Sequence, residues 1–335
     1  MHKVKISSAP SNFITTAFVP PYKIYVHTNA VVIKFEGAEE NSVCIYMILV
    51  LYLCTYINSH MRRIFMKHDY HIHTYFSGDS DTNPTATIEK AINLGLKTIC
   101  ITEHHDMDFP DDPNRFLLDV CAYLKEYSLL KEKYHDKIDI RTGVELGLQP
   151  HLSKELNEFS SAYPFDFIIG STHVVKKADP YYPEFWEKNP SYDDTITAYL
   201  TDTLNNIRNF KNFDVYGHID YIVRYCPAKD TESEIADLYK SYPDLIDEIL
   251  KELIYNGKGI EINTGGLFHL PFANPHKKIL MRYRELGGEI ITTGSDGHTP
   301  DKIAHAFDTL PELLTECGFK YTTIFKNRKP EWIKI

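Results

Sequence analysis

From Met66 onward, short runs rich in Ile, Val, Thr and Phe alternate with longer amphipathic stretches, the pattern of a mainly parallel α/β fold. Strands are predicted near Asp69–Thr74, Lys97–Thr102, Ile138–Leu146, Phe165–Thr172, Asp214–Asp220, Gly259–Thr264 and Glu289–Ser295. Helices are predicted over Pro84–Leu94, Arg115–Tyr134, Leu152–Ser161, Tyr192–Phe210, Glu232–Tyr255 and Pro275–Leu286. Several of these open on Pro, Ser or Asp, which favour helix starts. Seven strands separated by helices approach the size of a closed barrel.

Residues 1–65 break this pattern and are read as a separate N-terminal extension, with 66–335 as one barrel domain. Within the extension, Val43–Ile57 is an uncharged apolar run shorter than the roughly 20 residues that span a bilayer. It lies too far from the N-terminus for a signal peptide. The first reading is a start of translation at Met61 or Met66, because MKHDYHIHT leads directly into a strand. The second is a membrane anchor, and only that reading gives the chain a membrane partner.

The formal net charge of -10 disfavours a polyanion-binding surface, so nucleic acid is not an expected partner. The six cysteines form no CxxC pair, which points to a reducing, cytoplasmic setting rather than a disulfide framework.

The chemistry gathers at the strand ends. His71 and His73, at i and i+2, share one face of a strand. Later strands end in ITEHHD, GVELG, GSTH, GHID and GSDGH. An apolar barrel holds so many imidazoles and carboxylates at one mouth only if they are paired or bind cations. Asp79 lies in the Ser/Gly-rich SGDSD, where a turn-forming role competes with ligation. His105 should face away from its neighbour His104, whereas Asp69 and Glu103 suit the orientation of ligands.

The series HxH, TEHHD, GVELG, STH, GHID and GSDGH resembles the PHP (polymerase and histidinol phosphatase) superfamily from Met66 to the C-terminus. DYHIHTYFSGDS, GHIDYIVRY and EINTGGL are similar to its histidinol-phosphatase branch. The resemblance implies a distorted (β/α)7 barrel and a metal-dependent phosphomonoesterase of histidine biosynthesis. It implies two to three divalent ions (Zn, Mn or Fe), with His71, His73, Glu145 and Asp296 at the first. Glu145 would bridge to a second ion held by His173 and His218, and Asp79, His104 and His298 would suit a third. Arg224 resembles the family's phosphate-binding arginine, and Asp296 or His298 would pass a proton to the leaving group. The implied partner is a small phosphate ester. The aromatic, acidic loop VVKKADPYYPEFWEKNPSYDD after the fourth strand would shape specificity. Three other readings compete: a PHP phosphoesterase acting on nucleotides, an amidohydrolase-like metal hydrolase, and a non-catalytic metal-bearing module.

Every predicted ligand and barrel strand lies after residue 65, so a chain starting at Met66 is expected to be soluble and to carry the metal content of the full-length chain. Sedimentation and elemental analysis check this. An insoluble or metal-free truncation would place the extension inside the fold, and loss of membrane pelleting on truncation would make it an anchor.

Overall fold

The computed structural model describes residues 66–110, 112–228 and 237–335 in full, and upstream of them only the backbone of four strands. The chain divides into two compact units, residues 1–63 and 64–335. In the first, β1 (Ile6–Ser7), β2 (Ile14–Val19), β3 (Tyr22–His27) and β4 (Ala30–Lys34) form an antiparallel sheet in chain order. The apolar run Val43–Ile57 lies outside the described residues. Among the described residues, no helix is long and apolar enough to cross a membrane.

The second unit is built on seven parallel strands: β5 (His68–Asp69), β6 (Thr98–His105), β7 (Asp139–Gly147), β8 (Phe167–Ser171), β9 (Val215–Tyr216), β10 (Gly259–Asn263) and β11 (Ile291–Gly294). Backbone hydrogen bonds from Tyr70 N to Thr293 O (2.9 Å), Asp296 N to His71 O (2.8 Å) and His73 N to Gly297 O (3.0 Å) join the first strand to the last. The sheet therefore nearly closes on itself, as the family resemblance implied.

Alternation along the strands separates two apolar layers. Ile99, Ile101, Val144, Ile168 and Ile260 join the large cluster with the helices. Cys100, Phe167, Ile169 and Val215 form a smaller cluster inside the barrel with Tyr70. In α1 (Pro84–Leu94), the Asn83 side chain caps the start and Gly95, at φ 79°, ends the helix in the left-handed conformation. In α7 (Pro243–Tyr255), Ile246, Ile249, Leu250 and Leu253 are buried, the spacing of one helical face. At about 1.5–3 kcal/mol for each fully buried aliphatic chain, that face stabilises the barrel by several kcal/mol.

The other helices are α2 (Val120–Tyr134), α3 (Ser153–Ala162), α4 (Pro183–Lys188), α5 (Tyr192–Asn209), α6 (Leu238–Ser241), α8 (Lys277–Glu285) and α9 (Leu310–Glu316). The helix expected over Glu232–Tyr255 is broken, because Pro243 lacks an N–H to donate and begins a new helix after α6; residues 232–236 lie outside the described residues.

Sequence patterning did not reveal the C-terminal hairpin of β12 (Tyr321–Lys326) and β13 (Lys329–Lys334). Its two-residue turn places Asn327 and Arg328 at φ 50° and 63°, a conformation more often signalled by Asn-Gly. Ile324 and Phe325 pack into the inner cluster, where Tyr70 donates to Phe325 O at 2.9 Å. Arg328 bonds Asp214 at 2.5 Å, and Arg328 N donates to Asp166 O at 2.9 Å. The hairpin thus seals the N-terminal end of the barrel, leaving the opposite mouth for chemistry.

His68 joins this seal through Thr322 Oγ1 at 2.9 Å, and burial pushes its imidazole down to about 4. A folded-state value below the unfolded value of about 6.5 means that this stabilisation is complete above pH 6.5 and is lost as pH falls towards 4. Urea unfolding at pH 7 and 5 is expected to show the wild type losing about 2 kcal/mol more than His68→Gln over that interval. Equal losses would show that His68 is not linked to folding.

Candidate metal centre

The C-terminal mouth brings all nine predicted ligands into one cluster. His71 and His73 follow β5, His104 and Glu145 come from the ends of β6 and β7, and His173 and His218 follow β8 and β9. Asp296 and His298 follow β11, and Asp79 enters from the loop after the first strand. The parallel register of β6 and β7 sets His104 directly opposite Glu145.

Glu145 is the hub. Its Oε2 lies 3.1 Å from His71 Nε2, 3.5 Å from His73 Nε2 and 3.1 Å from His104 Nδ1. Its Oε1 lies 2.9 Å from His218 Nε2 and 3.3 Å from His173 Nε2, and accepts from Ser171 Oγ at 2.7 Å. Asp296 Oδ1 stands 3.6 Å from His71 Nε2 and 3.4 Å from His73 Nε2. Asp79 Oδ2 stands 3.1 Å from His298 Nε2 and 3.6 Å from His104 Nε2, so the loop aspartate faces the cluster. The His73 ring is stacked between His104 and His298, with centroids 4.2 and 4.3 Å away.

The donor set fits divalent metal. His73 Nε2, His104 Nδ1 and His298 Nε2 are buried 3.1–3.4 Å from carboxylate oxygens but make no well-aligned hydrogen bond, a cost of about 1–3 kcal/mol each unless a cation takes their lone pairs. Opposite nitrogens are engaged: His71 Nδ1 with Glu261 (2.6 Å), His73 Nδ1 with Ser77 Oγ (3.0 Å), His173 Nδ1 with Asp106 (2.8 Å) and His298 Nδ1 with Asp296 O (2.9 Å). Such outer partners fix the tautomer and aim the other nitrogen inward, as in metal-ligating histidines. Four overlapping triplets offer ligand atoms within 4.8 Å of one another: His71/His73/Glu145, His71/His218/Asp296, His104/Glu145/His173 and His73/His104/His298.

Burial opposes charge on Glu145, yet the imidazoles of His71, His173 and His104 hold it well below the usual carboxylate range. Asp296 behaves alike, with His71, His73 and Arg224 outweighing burial. Burial also opposes charge on His173, but Asp106 and Glu145 push it up to about 10. Burial lowers His73, and any charge on His104 or His298 beside it lowers it further, which favours a neutral ligand. Asp296 sits at φ 55°, a costly conformation for a non-glycine residue that recurs at functional sites.

The flanking residues hold this arrangement. Asp69 accepts from Ser295 N (2.9 Å), Ser295 Oγ (2.6 Å) and Ala304 N (3.0 Å), so it anchors the segment carrying Asp296. Glu103 accepts from Thr74 N (2.9 Å) and Ser77 Oγ (2.6 Å), and through Ser77 it orients His73. A Cβ on Gly294 would meet His71 Cβ at 2.3 Å and Glu261 Oε1 at 2.4 Å, so only glycine lets β11 pass the His71–Glu261 pair. His105 points outward, stacked on Phe159 at 3.6 Å.

Arg224 is buried rather than a surface residue. It donates to Asp296 Oδ2 (3.0 Å), Asn263 Oδ1 (2.8 Å) and Asn274 Oδ1 (2.6 Å), and lines a cavity of about 350 Å³ above the cluster. His269 lines the same cavity. Sequence reasoning assigned no role to Asp106, Ser77, Glu261 or Asn263. Asp106 and the latter two stood inside ITEHHD and EINTGGL, but only the fold shows that they back His173 and His71.

A nearly closed parallel barrel with a His/carboxylate cluster at its C-terminal mouth defines a metal-binding β/α barrel. The PHP domain profile matches residues 69–265, and the chain belongs to the PHP domain family. The histidinol-phosphatase of Lactococcus lactis subsp. lactis is 33% identical over 264 residues, spanning 78% of this chain and 96% of the relative. The probable histidinol-phosphatase of Clostridium acetobutylicum is 34% identical over 258 residues, spanning 76% and 95%. A crystal structure of histidinol phosphate phosphatase from Lactococcus lactis, complexed with zinc, L-histidinol and phosphate, aligns with a TM-score of 0.72 at 32% identity and covers 79% of this chain and 98% of that one.

Glu145→Gln keeps the shape of the hub and removes its charge. It is expected to weaken zinc binding at least as much as the roughly 10–100-fold that loss of an outer partner costs. Zinc titration of the folded variant checks this, and wild-type affinity would overturn the role of Glu145 as hub.

Proposed function

We propose that this protein is a metal-dependent phosphomonoesterase that hydrolyses L-histidinol phosphate to L-histidinol and phosphate in histidine biosynthesis. The observation that carries the reading is the position of Arg224, a buried guanidinium beside Asp296 on the wall of a cavity that Asp79, His104, Glu145, His173, His218 and His298 of the cluster also line. Support comes from the Lactococcus lactis histidinol-phosphatase, 33% identical, whose relative in crystal form holds zinc, L-histidinol and phosphate.

Two to three divalent ions fit the donors: one at His71, His73, Glu145 and Asp296, a second at Glu145, His173 and His218, and a third at Asp79, His104 and His298. Mixed imidazole and carboxylate donors accept Zn, Mn or Fe. Bound there, such ions supply a water ionised near neutral pH and neutralise phosphoryl oxygens. The chain's own residues do the rest. Arg224 presents a planar fork that can grip two phosphoryl oxygens, and Asn263 and Asn274 keep the fork from rotating. Asp296 or His298, both on the cavity wall, would pass a proton to the leaving alkoxide. Glu103 and Glu261 hold His73 and His71 in place throughout. This catalytic apparatus lies wholly within residues 66–335, and among the described residues the thiols of Cys100, Cys121 and Cys317 accord with a cytoplasmic setting.

A panel of histidinol phosphate, nucleotides and sugar phosphates, assayed with defined metals, is expected to give histidinol phosphate the highest kcat/KM. Another winner would overturn the substrate, and full activity after chelation would overturn the mechanism. Arg224→Ala is expected to raise KM and weaken inhibition by inorganic phosphate by about 10–100-fold, the worth of a charge-assisted hydrogen bond. It should also loosen Asp296, whose Oδ2 loses a donor.

A further inference from the structure

Arg224 owes its orientation to its neighbours, and one of those neighbours is held in turn by a carboxylate that the chemistry above does not use. Asp220, the last residue of GHID, is fully buried behind the cavity wall. It directly precedes the short 3-10 helix Tyr221–Arg224, a position from which an aspartate side chain ordinarily caps the helix. It makes no such cap. Its Oδ1 instead accepts from Asn274 Nδ2 at 2.5 Å and its Oδ2 from His276 N at 2.8 Å, both on the segment before α8.

Asn274 links this carboxylate to the guanidinium. Its Oδ1 accepts from Arg224 Nε at 2.6 Å. Its backbone is already fixed to the end of β10, where Asn263 N donates to Asn274 O at 2.7 Å and Asn274 N to Asn263 O at 2.9 Å. Only rotation of the side chain is left to settle. A Cβ on Gly266 would meet Asn274 Oδ1 at 2.3 Å, so the glycine there makes room for the amide.

An amide has nearly the same shape either way round, and the two neighbours of Asn274 exclude one way. A carboxylate only accepts and a guanidinium only donates, so Nδ2 must face Asp220 and Oδ1 must face Arg224. The flipped amide would set its NH2 against Arg224 Nε and its oxygen against the carboxylate, leaving buried groups unpaired. A neutral amide at position 220 could both donate and accept, and would permit either orientation. A buried carboxylate is costly, and here it is the group that removes the ambiguity. Asn263, on the other side of the fork, donates to Glu261 Oε2 at 3.1 Å in the same manner, but Glu261 also backs His71. Asp220 has no such tie to a ligand.

We propose that Asp220 is a positioning residue for phosphate binding, fixing the Asn274 amide so that Arg224 keeps the orientation in which its fork receives phosphoryl oxygens. The relay runs from Asp220 through Asn274 to Arg224, and it leaves and re-enters the same loop after β9. A fork held in this way loses little freedom when an anion arrives, which is the benefit of preorganisation. The inference rests on the reading of Arg224 as the phosphate ligand and names the residue that keeps it aligned.

The test reads inhibition by inorganic phosphate, together with KM and kcat for the monoester that the substrate panel selects. Asp220→Asn introduces an NH2 that must point at Asn274 Nδ2 or at His276 N, so either two donors meet or the Asn274 amide turns round. It is expected to weaken phosphate inhibition and raise KM about 10-fold, with kcat changed less than about threefold and zinc affinity as in the wild type. The exchange Asp220→Asn with Asn274→Asp restores the alternation of donor and acceptor along the relay. It is expected to bring both constants back to within about threefold of wild type, which a mere packing defect would not allow. Wild-type phosphate inhibition in folded Asp220→Asn, or a loss that the exchange does not reverse, would overturn the relay. A fall in kcat at unchanged KM, or one that tracks lost zinc, would make Asp220 merely structural. Should Asp220→Asn not fold, Asn274→Ala reads the same link, and unchanged phosphate inhibition there would overturn the proposal. Arg224→Ala is the reference: if it leaves phosphate inhibition unchanged, the phosphate reading of Arg224 falls and this proposal with it. If Arg224→Ala weakens inhibition and Asp220→Asn does not, this proposal falls alone.

Discussion

A carboxylate at the centre of a barrel mouth, fully enclosed by protein, is untenable unless positive charge surrounds it, and Glu145 imposes that constraint on everything around it. Five imidazoles approach its two oxygens, and Ser171 supplies a further hydrogen bond. Each imidazole must present a lone pair or a proton in one direction, so each needs a partner behind it. Glu261, Ser77 and Asp106 fill that position for His71, His73 and His173, and the nitrogens left without a well-aligned hydrogen bond mark where cations belong.

The barrel exists in a form that serves this cluster. Closure between the first and last strands brings His71 and His73 against the segment carrying Asp296 and His298, a join the strand order alone would leave open. Gly294 lets the last strand pass the His71–Glu261 pair without collision. At the far end, the C-terminal hairpin fills the barrel with Ile324 and Phe325. One end is dry and packed, the other polar and open. That division keeps a rigid scaffold beneath a site built from loops and strand ends.

Above the cluster, the cavity presents a guanidinium already fixed in place. Arg224 stands beside Asp296, locked by two asparagines from β10 and from the segment before α8, so its fork is set before any ligand arrives. Asp220, behind the wall, fixes one of those asparagines in turn. The orientation of the fork is therefore a property of side chains from separate loops that meet only at the mouth.

The sequence by itself determined which residues carry the chemistry. Side chains alternate along a strand, so His71 and His73 had to share a face, and parallel strands deliver their C-terminal ends to one side, so TEHHD, GVELG, STH, GHID and GSDGH had to converge. The PHP resemblance rested on those same residues, and the helix start at Pro84 was readable from local propensity. Tertiary structure alone decided the rest. That His104 faces Glu145 depends on the β6–β7 register, and that Asp79 faces His298 depends on the path of a loop. The partners of Arg224 lie 39, 50 and 72 positions away in the chain. The floor hairpin escaped notice because its turn carries Asn-Arg and its inward residues gain meaning only from a barrel to fill. Periodicity reports the direction in which a side chain leaves its own backbone; the distance to a partner on another strand depends on the stagger and closure of the whole barrel.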